Sequence, residues 1–123
     1  MAIKRGDEIP RPHPWTVRAA DLAAAKGWET LVAQHREAAD RAWVAITRDP
    51  RHRDDRQHPL RGSLGSVRIS QRVLEQWEFE VMGAARLRYG IDDQERVLWV
   101  THAGIGHPKD TDSPRRRKRG RTA

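Results

Sequence analysis

Between residues 16 and 48 the chain has no proline, is rich in alanine, and repeats apolar positions at helical intervals: Leu22, Leu31, Val32, Ala39, Trp43 and Ile46. That spacing gathers apolar side chains on one stripe of a helix with 3.6 residues per turn. Gly27 and the polar stretch at His35 and Arg36 interrupt the stripe, so the segment reads as two helices, residues 19–34 and 37–48, folded back as a hairpin. Asp49 and Pro50 end the second helix, and residues 51–57 read as a polar loop without periodicity.

Beyond Leu60 the period changes to two. Trp77, Phe79 and Val81 alternate with Gln76, Glu78 and Glu80, and Leu87, Tyr89 and Ile91 alternate with Arg86, Arg88 and Gly90. A third run covers residues 96–102 after a turn at 92–95, and a weaker strand is expected at 66–69. Joined in order, these runs predict an antiparallel meander. The expected fold class is α+β, with the N-terminal helical hairpin packed on one face of a small antiparallel sheet.

Because side chains alternate strictly between the faces of a strand, the register can be argued as well. For Phe79 to share a face with Leu87 or Tyr89, the turn between them must hold an odd number of residues. A turn of Met82, Gly83 and Ala84 sets Glu80 opposite Arg86, and a turn two residues longer sets it opposite Arg88. Closing the next hairpin with Ile91 opposite Arg96 places Leu98 and Val100 on the apolar face. Trp77, Phe79, Leu87 and Tyr89 then form the sheet's half of the core against Leu31, Trp43 and Ile46. The opposite face carries Glu78, Glu80, Arg86, Arg88, Trp99 and Thr101. Such a mixture suits RNA, since guanidinium groups take phosphates and an indole stacks on bases. It equally suits a solvated face of cross-strand ion pairs with Trp99 under a loop.

With 123 residues and 37% apolar content the chain suffices for one modest core. Three parts are expected: a flexible segment, residues 1–15, broken by Pro10, Pro12 and Pro14; a folded domain, residues 16–112; and a disordered basic tail, residues 113–123. The chain has no cysteine, which removes disulfides and thiolate chemistry. Its formal charge is +7, which suggests a polyanionic partner. Six of those charges, on Arg115, Arg116, Arg117, Lys118, Arg119 and Arg121, stand among the last nine residues with no acid between them, and taking them from +7 leaves +1. The tail can therefore contact phosphates without reading sequence. No apolar run reaches the roughly eighteen residues of a membrane span, and the start lacks the apolar stretch of a secretory signal, so the expected location is the cytoplasm.

Several segments in order resemble one family. HPLRGSL at 58–64, WEFEV at 77–81, ARLRY at 85–89 and a closing strand that ends in GHPK at 106–109 are similar to the RelE/ParE toxins, the toxin halves of bacterial type II toxin-antitoxin pairs. The resemblance spans residues 19–112 and implies a cognate antitoxin protein as partner. It also implies one of two activities. RelE and YoeB types enter the ribosome and cleave mRNA, whereas ParE types poison DNA gyrase without cutting RNA. The first is the reading favoured here, an endoribonuclease acting on ribosome and mRNA by metal-independent attack of the 2′-hydroxyl, with no cofactor. A basic nucleic-acid-binding module without activity is the third class.

Residue by residue, the family's strand arginine in its R-L-x-Y pattern falls on Arg86, which the resemblance makes the phosphate clamp. Where YoeB-like members place a glutamate base in an E-P-L segment, His58 precedes Pro59 and Leu60, and an imidazole can fill that role. The family's terminal acid or base falls on His107, with Lys109 close by, and Gly104 and Gly106 would let a phosphate approach. Arg61, Arg88, Trp99, Lys109, Arg115, Arg116, Arg117, Lys118 and Arg119 are the expected RNA contacts. The chain departs from the pattern at two places. The strand at Trp77, Glu78, Phe79 and Glu80 lacks the lysines of RelE-like members, and Asp110, Thr111 and Asp112 stand where those members have a tyrosine. Tyr89, the one tyrosine, falls in the core by alternation. His102 and His107 have no further ligands in step with them, so no metal site is expected.

Overall fold

A computed structural model describes residues 2–12 and 14–105. Strand β1 (Thr16–Ala19) leads into helices α1 (Leu22–Gln34) and α2 (Arg36–Arg48), followed by β2 (Gln57–Pro59), a short 3-10 turn (Gly62–Gly65), and strands β3 (Ser66–Ile69), β4 (Arg72–Met82), β5 (Ala85–Asp92) and β6 (Val97–Ile105). The two helices pack on one face of a sheet ordered β1-β6-β5-β4-β2, with β3 also paired to β4. No described helix is long and apolar enough to cross a membrane.

The helical hairpin lies close to its expected place. Asp21 caps α1, its carboxylate accepting from the Ala24 N–H at 2.8 Å, and His35 alone separates α1 from α2. Small side chains let the hairpin sit tightly on the sheet: Ala24, Ala38, Ala39 and Ala42, with Leu31 and Ile46, are buried against Trp77, Phe79, Val81, Leu87, Tyr89, Leu98 and Val100. Trp43, expected in that core, is 40% exposed and instead lies against Trp28, ring centroids 5.7 Å apart. Gly27 does not interrupt α1. A Cβ there would stand 2.1 Å from the Ala103 carbonyl oxygen, so the glycine is what allows the helix to approach β6.

The sheet departs from a pure antiparallel meander. Residues 16–19, expected to open the helical region, form β1, which runs parallel to β6 with Thr16 opposite Val97 and Ala19 opposite Val100. The Thr16 N–H donates to the Arg96 carbonyl at 2.9 Å and the Ala20 N–H to the Val100 carbonyl at 2.8 Å. These bonds satisfy the free edge of β6, which an isolated reading of four residues cannot anticipate. The sheet is therefore mixed. Likewise residues 57–59, at the end of the expected polar loop and the start of HPLRGSL, form the short strand β2 on β4, Gln57 opposite Phe79 and Pro59 opposite Trp77.

Register follows the alternation argument with two adjustments. Glu80 pairs with Arg86 as expected, but the turn holds Gly83 and Ala84, and a bulge between Glu80 and Met82 takes up the third residue. In the next hairpin Ile91 faces Leu98 rather than Arg96, because the turn occupies residues 93–96. The two-residue shift leaves Leu98 and Val100 on the apolar face and Trp99 on the other, as expected, and only beyond Thr101 does a second bulge change the alternation.

The N-terminal segment is tied to the domain at two described residues. The Arg11 guanidinium donates to the carbonyls of Thr47 and Arg48 at the end of α2, where a cation also complements the helix dipole. Trp15 packs on the core, with the Arg96 guanidinium 4.0 Å over its ring. The basic tail lies outside the described residues.

Candidate nucleic-acid interface

The face of the sheet away from the helices is organised by strand pairing. His58 on β2 stands opposite Glu78 on β4, Glu78 opposite Arg88 on β5, and Arg88 opposite His102 on β6. A histidine, a glutamate, an arginine and a second histidine thus form one row across four strands. The neighbouring row holds Glu80, Arg86 and Gly104. Period-two patterning puts Glu78, Glu80, Arg86 and Arg88 on this face, because Trp77, Phe79, Leu87 and Tyr89 must point to the helices. His102 arrives differently. A register shift between Arg88 and Tyr89 leaves Thr101 unpaired on β6 and turns His102 to the same side as Arg88.

Glu78 is the centre of the cluster. Its Oε2 accepts from Arg88 Nε at 2.8 Å, and its Oε1 lies 4.0 Å from both Arg86 Nε and His58 Nε2. The side chains of Arg88 and Glu78 are 9% and 13% exposed, so this ion pair is shielded from water. Arg86 Nη2 pairs with Glu80 Oε2 at 3.0 Å, and Arg86 Nη1 donates to the carbonyls of Gly83 at 2.6 Å and Ala85 at 3.1 Å. His58 Nδ1 lies 3.3 Å from the Pro59 carbonyl oxygen, so its two ring nitrogens face two different acceptors. The imidazole itself is partly open to solvent.

The structure brings His58, Arg86 and Arg88 together around Glu78. Arg61 is exposed where the chain enters the 3-10 turn. Trp99 sits one row away opposite Gly90, half-buried, its indole N–H 3.4 Å from Asp92 Oδ2. His107, Lys109, Arg115, Arg116, Arg117, Lys118 and Arg119 lie outside the described residues. Sequence reasoning places Glu78 on this face but gives it no role; its pairing with His58 depends on β2, a strand of three residues that no alternation announces. His102 at this site was missed, since no local pattern announces a bulge. Among the described residues no three His, Cys, Asp or Glu side chains gather as a metal site would require.

Tyr89 takes no part in the row. Its hydroxyl donates to the Pro50 carbonyl at 2.8 Å and accepts from Gln57 Nε2 at 3.0 Å inside the core, and burial pushes the phenol well above its ordinary pKa. At the far end of β4 a second charged cluster is built on Arg51. Its Nε donates to Glu75 at 2.9 Å, and its two terminal nitrogens grip Asp93 at 3.0 and 2.8 Å. The bidentate bond with Asp93 is the largest influence holding the Arg51 guanidinium above its ordinary range and the Asp93 carboxyl below its own. Burial alone would push Glu75 up, but the Trp77 indole N–H at 2.7 Å and Arg51 outweigh it, and Glu75 also lies below its ordinary range.

The architecture matches solved structures. A YoeB/ParE toxin from Agrobacterium tumefaciens superposes with a TM-score of 0.57 at 14% identity, over 75% of this chain and 99% of that one. The toxin-antitoxin complex RelBE2 from Mycobacterium tuberculosis gives 0.52 at 22% identity over 76% and 99% of the two chains. The isolated RelE toxin of E. coli gives 0.52 at 21% identity over 79% and 89%. No family model and no curated protein sequence matches the chain. At these identities the likeness is one of fold, and the fold is that of the RelE/ParE toxins.

Proposed function

We propose that this chain, which has the RelE/ParE toxin fold, is the toxin of a toxin-antitoxin pair and cleaves mRNA on the ribosome. The observation that carries the reading is the row of His58, Glu78 and Arg88 with Arg86 beside it. The His58 imidazole and two guanidinium groups share a single patch of the sheet around Glu78. In the reaction His58 takes the proton of a ribose 2′-hydroxyl as that oxygen attacks the adjacent phosphorus. The bond from phosphorus to the 5′-oxygen breaks, leaving a 2′,3′-cyclic phosphate, and the departing 5′-oxygen takes a proton from His107. Arg86 exchanges its Glu80 partner for the phosphate, since both anions fit the same edge of a guanidinium. Arg61 and the basic tail supply further phosphate contacts. An antitoxin partner is supported by the complexed state of the M. tuberculosis structure of this fold.

A second reading is favoured by a specific feature of the same patch. Arg86 and Arg88 are already paired with Glu80 and Glu78, whose charges cancel theirs. That arrangement suits a gyrase-directed toxin that binds protein and cuts nothing. Induced expression in a bacterial host, with translation and DNA supercoiling assayed together, separates the two. Translation arrest with cleaved mRNA and unchanged supercoiling supports the first, and relaxed DNA with intact mRNA supports the second.

A further inference from the structure

Beside the charged row the polar face opens into a groove. Its volume is about 630 Å³, inside the range of roughly 300–1,000 Å³ typical of small-ligand sites. The 3-10 turn and β3 form one wall, and the corner where β1 enters α1 forms the other. The floor is Gln76, Arg88, Thr101 and His102.

That floor is built before any ligand arrives. Gln76 and Arg88 are only 4% and 7% exposed. The Gln76 amide is held at both ends, Nε2 donating to the Leu64 carbonyl at 2.8 Å and Oε1 accepting from the Thr101 hydroxyl at 2.5 Å. Arg88 is held by Glu78. Above the floor the walls are mixed, with Ala20 and Ala23 beside Asp21 on the helix side and Leu64 and Val67 beside Ser63 and Ser66 on the other. Arg68 stands exposed on β3 among the lining residues. Asp21, the acid on this rim, is engaged in capping α1. An imidazole and a guanidinium on the floor, apolar contacts from the walls and a cation at the lip suit a single unstacked nucleotide, whose base stacks on such planes and whose phosphate takes the cation.

We infer that this groove holds one nucleotide of a single-stranded RNA, its base between the walls over Thr101 and His102 and its phosphate at Arg68. The groove opens beside the Glu78 row, so the nucleotide held there flanks the one placed for attack, and the groove sets which sequences are cut. This rests on the reading of the partner as RNA, and it makes Arg68 and His102 specificity residues.

The test uses the full chain with hexauridylate and hexaadenylate as probes, followed by backbone amide shifts, alongside cleavage of mRNA on programmed ribosomes. In the parent protein the amides of Leu64, Val67, Thr101 and His102 should shift on titration. Ser66→Trp, on the exposed lining of β3, should fill the groove and weaken binding at least tenfold. Arg68→Ala should weaken it and lower the salt slope by about 0.7, one single-strand phosphate contact. Absent binding, shifts confined to residues outside the groove, or an unchanged affinity in folded Ser66→Trp overturn the proposal. Cleavage that continues in Ser66→Trp with unaltered site preference also overturns it, while leaving the nuclease reading standing. Groove binding by a parent protein that cuts no mRNA does the reverse.

Discussion

Two arginine clusters occupy the two ends of β4, and they are built for different work. At one end a single guanidinium, Arg51, is shared between Glu75 and Asp93, with the Trp77 indole on the other oxygen of Glu75. It ties the loop after α2 to β4 and to the turn between β5 and β6, and one cation there meets two anions. At the other end Arg86 and Arg88 meet Glu78 and Glu80, with His58 beside them and the groove alongside. A cluster with spare negative charge has nothing to offer a phosphate. In a cluster whose charges balance, a phosphate can replace one carboxylate and leave each guanidinium paired. The contrast separates a brace from a candidate site without reference to any relative.

Breaking the brace at its core should have the largest effect. Trp77 is buried and also orders Glu75, so Trp77→Ala should destabilise by about 3–5 kcal/mol, read as a lowered midpoint in urea. An unchanged midpoint would show that β4 presents its other face to the helices. Next comes the site. Arg86→Ala should leave the fold intact and abolish growth inhibition, since losing a clamp on transition-state charge typically costs roughly a hundredfold to a thousandfold in rate. Full toxicity of a soluble Arg86→Ala variant would refute the assignment.

The brace also has a pH signature. Asp93 and Glu75 sit below their ordinary pKa values in the folded chain, so their contribution is complete above the ordinary carboxylate range and is lost as pH falls through the lowered values. Because Asp93 is 61% exposed and Arg51 40% exposed, the contribution should be small, about 0.2–1 kcal/mol per pair. Arg51→Ala should therefore melt below the parent at neutral pH, with the two curves converging in acid. A gap that stays constant to low pH would mean that Arg51 acts through packing alone. The smallest effect is expected from the tail. Deleting residues 113–123 should weaken RNA binding and flatten its salt dependence without moving the sites of cleavage. His107→Gln should slow single-turnover cleavage while the salt slope stays nearly constant. Parallel loss of affinity in both, with no change in the chemical step, would make His107 a binding residue.

The amino-acid sequence by itself determined which side chains face which way. Period-two alternation assigned Trp77, Phe79, Leu87 and Tyr89 to the core and Glu78, Glu80, Arg86 and Arg88 to the open face, and a break near His35 divided the helices, because side-chain direction is a local property of each element. Only the tertiary structure decided the rest. The parallel pairing of β1 with β6 depends on an edge that exists once the meander has formed. The tight contact of Gly27 with Ala103 depends on how closely α1 approaches β6, and the exposure of Trp43 on how α2 lies against α1, where the indole meets Trp28. The row from His58 to His102 needs β2 on one edge and a bulge at Thr101 on the other. Those are pairings between residues far apart in the chain, and no local period encodes them.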